Sequence, residues 1–156
     1  MTEGNERAAR AVYEDMCAAL EKRRWKHQRS DDDLVITFGV SGDDLPMDFI
    51  LAVDAERQLL RVLSRLPFKV PENKRMEIAI ATCAASYRLA DGSFDFDLAT
   101  GDIVFRQTAS FRESRIGDGL FEYLVEVPGI IVDKYNDKFF AISKGMMSID
   151  DFLDEC

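Results

Sequence analysis

The sequence is poor in the residues on which most catalytic and metal-binding chemistry depends. It holds one histidine and three cysteines among 156 residues. His27 is therefore the one imidazole open to a His-dependent triad, which would have no second base. Cys17, Cys83 and Cys156 are odd in number, widely spaced and free of C-x-x-C pairs, which excludes a zinc ribbon and a thioredoxin-like site. Cys17 and Cys83 fall in predicted helices among apolar neighbours, where a free thiol acts as a small hydrophobe. Cys156 lacks the C-a-a-X arrangement of prenylation. No apolar run approaches the roughly 20 residues of a membrane span, and residues 1–6 lack the basic and apolar regions of a secretory signal. No repeat, linker or low-complexity segment is visible. These absences lead us to expect a cytoplasmic protein in a reducing compartment, with no membrane partner.

What is present is an ordinary globular balance of 47% hydrophobic and 31% charged residues. The length is that of one domain, read here as 1–156. Residues 1–90 hold 15 acids and 14 bases, whereas residues 91–156 hold 14 acids and 6 bases, so nearly all of the net charge of −9 lies in the C-terminal part. A phosphate-neutralising surface needs clustered Lys and Arg, so no nucleic-acid partner is expected. The basic cluster Lys22, Arg23, Arg24, Lys26 and Arg29 reads as the last turns of an amphipathic helix, its field partly cancelled by Asp31, Asp32 and Asp33.

That helix runs from about 5 to 28, with Ala9, Val12, Tyr13, Met16 and Leu20 on one apolar stripe. Three strands follow, carried by Leu34, Ile36, Phe38 and Val40, by Met47, Phe49, Leu51 and Val53, and by Leu60, Val62 and Leu66, each alternating with residues of the other face. Their short connections make them an antiparallel meander. A helix from about 71 to 90 places Met76, Ala79, Ile80, Cys83 and Tyr87 on one face and ends at Asp91-Gly92. A hairpin then pairs Phe94, Phe96 and Leu98 with Ile103, Phe105 and Ala109 around the turn 99–102. Leu98 opposite Ile103 would set Asp95 opposite Arg106. A long helix from about Asp118 should kink or break at Pro128-Gly129 and stop at Gly145, and Ser148 opens a short last helix. The order α-β-β-β-α-β-β-α is an α+β domain with a five-stranded, mainly antiparallel sheet and helices packed on one face.

Three patterns that superficially suggest ligand chemistry read better as structure. Asp95 and Asp97 share a strand face, but Ala99 stands where an EF-hand needs a third ligand. Asp31–Asp33 is a contiguous acidic loop, and Gly117-Asp118-Gly119 lacks both the third glycine and the lysine of a phosphate-binding loop. Cys17 stands about 15 Å from His27 along one predicted helix, too far for proton transfer. No catalytic residue, metal or cofactor is expected.

The outer sheet face is more informative. Val35, Thr37, Ile50, Ala52, Leu63 and Val104 would lie there with Arg61 and Arg106, more apolar than a solvent face usually is. Long Arg stems could shield it, or it could be a protein-binding or self-association surface.

The segments Asp91-Gly92-Ser93-Phe94-Asp95-Phe96-Asp97-Leu98 and Thr100-Gly101-Asp102-Ile103-Val104-Phe105-Arg106, with Asp133, Tyr135, Ile142, Gly145, Ser148 and Phe152, resemble the YbjN family over about residues 34–153. The sequence departs from that family's pattern at Pro128-Gly129, where an uninterrupted helix is usual. The resemblance implies a fold like that of type III secretion chaperones and a non-enzymatic, chaperone-like or regulatory module. It also implies a homodimer that binds extended segments of other proteins, and the acidic C-terminal part would favour a basic or amphipathic segment. A small-molecule-sensing domain with a cavity near Phe121, Leu124 and Ile131 is the alternative. An enzyme built on His27 or a cysteine beside acids is a more distant one.

Overall fold

The computed structural model describes residues 1–155. Its elements are α1 (Glu3–Lys22), β1 (Gln28–Ser30), β2 (Val35–Ser41), β3 (Pro46–Asp54), β4 (Leu59–Arg65), α2 (Arg75–Arg88), β5 (Ser93–Phe96), β6 (Ile103–Ser110), α3 (Asp118–Ser143) and α4 (Ile149–Glu155), with a single 3-10 turn at Glu72–Lys74. The sheet is antiparallel throughout and has six strands rather than five, in the order β1-β2-β3-β4-β6-β5. Alternation sends Ile36, Phe38, Met47, Phe49, Leu51, Val53, Leu60, Val62, Ile103 and Phe105 to one face, where the helices bury them. α1 and α3 cross β3, α3 continues over β4 and β6, and α2 covers β5.

The additional strand and an early helix end have one cause. α1 stops at Lys22, because Arg24 turns into the left-handed region (φ 55°) and Trp25 N–H bonds back to the Leu20 carbonyl at 3.0 Å. Trp25 is thereby laid edge-on against Phe38, with ring centroids 5.6 Å apart. Of the five cations assigned to the helix end, Lys22 alone lies within it. Arg29 instead sits in β1, which pairs Gln28–Ser30 with Val35–Thr37. There Arg29 meets Asp31 (2.9 Å), Glu14 (3.2 Å) and Glu21 (3.4 Å), and Tyr13 donates to Asp31 Oδ1 at 2.6 Å. Asp31–Asp33 is thus the turn that holds β1 to α1, with Asp33 accepting from Ser30.

The β5–β6 hairpin has a different register from the one expected. Phe96, not Leu98, faces Ile103, and Asp95 faces Val104. The loop begins at Asp97, whose carboxylate accepts the Ala99 N–H at 2.8 Å, while Gly101 takes φ +80° hard against the Val70 backbone. Leu98 is left exposed in that loop. The Asp95–Arg106 ion pair survives as a diagonal contact at 2.8 Å.

α3 runs unbroken through Pro128, which is buried. Gly145 (φ +72°) ends it as expected, with Met146 N–H on the Ala141 carbonyl, and Ser148 caps α4 through Asp151 N–H. α3 and α4 join β5 and β6 in one aromatic cluster of Phe94, Phe105, Tyr135, Phe139 and Phe152. α2 overturns its expected face. Ile78, Ala81, Thr82 and Ala85 are buried, while Met76, Ile80, Cys83 and Tyr87 are exposed. A stripe of small residues lets α2 sit close to β5, α3 and α4, and the larger apolar residues are turned out.

Candidate protein-binding surface

The outer sheet face assembles in register. Thr37, Ile50, Leu63 and Arg106 stand opposite one another across β2, β3, β4 and β6 in one row. Val35, Ala52 and Arg61 form the next row across β2, β3 and β4, and Val104 stands opposite Arg65. All eight residues singled out in the sequence therefore share one face. Ile50 is 41% exposed, and the other apolar members are half-buried by their neighbours' side chains. The arginines are tied down at the margins, Arg106 to Asp95 at 2.8 Å and Arg61 to Asp54 at 3.7 Å. The Arg57 backbone N–H, and then its guanidinium, hold the Asp54 carboxyl below the usual carboxylate range. Arg stems thus frame this apolar strip without covering it.

At one end the strip opens into a groove of about 750 Å³ lined by Lys26, His27, Gln28, Thr37, Phe38, Gly39, Asp48, Phe49 and Ile50. Its origin is the shortness of β1. That strand pairs only as far as Thr37, so β2 continues through Phe38–Ser41 with no strand on its outer side. A bare strand edge presents backbone donors and acceptors to whatever lies beside it. Gly39 leaves the groove wall without a side chain, and Asp48 faces Gly39 across the β2–β3 ladder. Lys26, His27 and Gln28 were missed as surface residues because the sequence stretch that holds them shows no alternation.

His27 Nδ1 lies 2.6 Å from the Trp25 carbonyl and so donates to it. Asp48 is the one acid lining the groove beside it. Cys17 is buried in α1, and burial pushes its thiol up, which keeps it protonated. Among the described residues no group of three or more His, Cys, Asp or Glu side chains is placed to hold a metal ion. Asp97 lies outside β5 and spends its carboxylate on loop N–H groups, which hold its pKa low. Between α1, α3 and the sheet lies a void of about 10 Å³ lined by Met16, Leu20, Leu51, Leu60, Phe121 and Leu124. That is room for about one water and not for a metabolite. Ile131 does not line it.

The acidic excess lies elsewhere. α3 carries five acids against two bases, and α4 carries four acids and no base. Both helices pack on the face opposite the strip, so the apolar face and the acidic face expected to act together are on opposite sides. No helix among the described residues is long and apolar enough to cross a membrane.

A family model, YbjN, described as "putative bacterial sensory transduction regulator", matches residues 13–141. The chain belongs to the YbjN family. The matched stretch runs from Tyr13 in α1 to Ala141 near the end of α3, so it takes in the whole sheet but not α4. It begins earlier and ends sooner than the resemblance read from the sequence. No curated protein and no solved structure matches the chain significantly. The residues that carry the YbjN resemblance prove to be architectural. Asp133 accepts the Asp43 N–H at 3.0 Å and presses on Gly42, clamping the β2–β3 turn to α3. Tyr135 and Phe152 are buried in the aromatic cluster, and Gly145 and Ser148 are helix caps.

Proposed function

We propose that this protein is a binding and regulatory module that captures an extended segment of another polypeptide and catalyses no reaction. The edge of β2 at Phe38–Ser41, with which no strand pairs and which is continuous through Thr37 and Ile50 with the apolar outer strip, is the observation that carries this reading. A segment laid beside that edge gains backbone hydrogen bonds, and its alternate side chains reach the strip. An antiparallel sheet covered by helices on one side only is consistent with the kinship to type III secretion chaperones that the family resemblance implies. Lys26 and Asp48 in the groove, with Arg61 and Arg106 along the strip, fit a segment of mixed charge better than a strongly basic one.

Selection of random peptides on the immobilised protein tests this. Selected peptides are expected to bind in extended form, to protect the amides of Phe38–Ser41 from hydrogen exchange, and to lose most of their affinity for an Ile50→Lys variant. A selection that returns nothing, or peptides indifferent to Ile50→Lys, would defeat the proposal.

A further inference from the structure

Between α3 and the β2–β3 turn lies a cleft of about 330 Å³ that the reading above leaves unused. Trp25, Val40 and Met47 form one apolar wall, and Val125 and Ile130 of α3 form the other. Val40 and Met47 are cross-strand partners on the helix-covered face of the sheet, where no strand flanks β2. On α3 the residues at 126, 129, 130 and 133 share one side of the helix. Ile130 is 69% exposed there, and beside it Gly129 leaves open space where a side chain would stand.

The charge of the cleft names its occupant. Asp43, Glu126 and Asp133 line it, and no lysine or arginine does. The ion pairs among the described residues are all made by other acids. No cation among those residues stands over the Trp25 ring. A neutral apolar ligand would desolvate these carboxylates without return, and an anion would be repelled. A metal ion would need them together, yet Glu126 and Asp133 stand two turns of α3 apart, about 10 Å. What fits is a cation on an apolar stem that lies along the walls. A guanidinium suits better than an ammonium, because its plane stacks on an indole and its fork matches a carboxylate.

We infer that the cleft seats one arginine side chain of the segment that pairs with β2. This rests on the strand-edge reading above and adds a register to it. Residues directly opposite each other in a ladder point to the same face, so the client residue beside Val40 enters the cleft. Its two neighbours, beside Gly39 and Ser41, point to the outer face where Ile50 lies. The client motif is therefore one arginine with an apolar residue on each side.

Trp25 is the one tryptophan of the chain, so its fluorescence reports on the cleft directly. The probe is the capped peptide Thr-Val-Arg-Val-Thr, titrated beside counterparts with lysine or neutral citrulline in place of its arginine. The arginine peptide is expected to shift the fluorescence saturably, with citrulline about tenfold weaker and lysine in between. Asp43 and Glu126 are exposed, and Asp43→Asn with Glu126→Gln should remove that preference at an unchanged melting temperature. Citrulline binding as tightly as arginine, a preference that survives the double substitution, or a silent Trp25 would each overturn the inference. The citrulline comparison uses the wild-type chain, so it decides even if the substitutions perturb folding. Failure of the strand-edge reading looks different. Acetylarginine amide would still shift Trp25 while no peptide protects Phe38–Ser41, which overturns the segment and keeps the guanidinium seat. A peptide that protects those amides without preferring arginine overturns the seat alone.

Discussion

α2 and α3 lie in contact at the β5 end of the sheet, yet they meet the core with opposite kinds of surface. α3 buries Phe121, Leu124, Val125, Val132, Tyr135, Phe139 and Ile142, whereas α2 buries one isoleucine, two alanines and a threonine. The aromatic side chains of α3, α4 and β5 already fill the space between these elements. What remains for α2 is a shallow seat that only a small-residue stripe fits, and Thr82 closes its own hydroxyl onto the Ile78 carbonyl at 2.8 Å rather than leave it unpaired there. A helix held by small residues turns its larger apolar side chains outward. The stripe of a helix thus reports what the helix can bury, and the volume of its neighbours decides which stripe goes inside.

The strongest way to press this contrast is to truncate one large residue on each helix. Phe139 is fully buried and touches Phe94, Tyr135 and Phe152, so Phe139→Ala should cost about 3–5 kcal/mol in denaturant unfolding. Tyr87→Ala on α2 removes an equally large ring and should change monomer stability by less than about 0.5 kcal/mol. A comparable loss at Tyr87 would mean that the exposed stripe is part of the core after all.

Ala81→Leu sharpens the same point from the other side. Ala81 is fully buried at the centre of the small stripe, and a larger side chain there must push α2 off β5. About 1–3 kcal/mol of destabilisation is expected, read from denaturant midpoints. A neutral or stabilising result would show that the seat has slack.

These elements also mark where sequence reading reached and where it stopped. β2, β3, β4 and the first part of β6 alternate, and a period of two assigns both faces at once, which is why the eight residues of the outer strip were legible before the fold was known. β1 was not legible, because Gln28-Arg29-Ser30 has no apolar member and is a strand only through its ladder to β2 and the charges that tie Arg29 to α1. The groove was lost with it, since its existence depends on where β1 stops. The hairpin register failed by two residues on a local bond, the Asp97 carboxylate to Ala99 N–H, which starts the loop before alternation ends. α2 failed for a different reason. It carries apolar residues on two faces, and periodicity cannot rank them.

The β1 corner completes the contrast, because it is held by charge where α2 is held by carbon. Asp31 accepts from Tyr13 at 2.6 Å and Arg29 at 2.9 Å, and these bonds, Tyr13 first, hold its carboxyl below the usual range, about 3.9. A carboxyl whose pKa is lower in the folded state than in the unfolded one stabilises fully above the unfolded value, and that contribution fades as pH falls through the folded value. Asp31→Asn should therefore be less stable than the parent at pH 7, and the gap should narrow below about pH 4 and close once the folded carboxyl is protonated. Denaturant midpoints of both chains over that range measure it. The Ala81→Leu deficit, which involves no ionising group, should show no such dependence on pH. An Asp31→Asn gap that persisted in acid would mean the corner is held by shape, and the distinction between a charge-held β1 edge and a carbon-held α2 edge would fall.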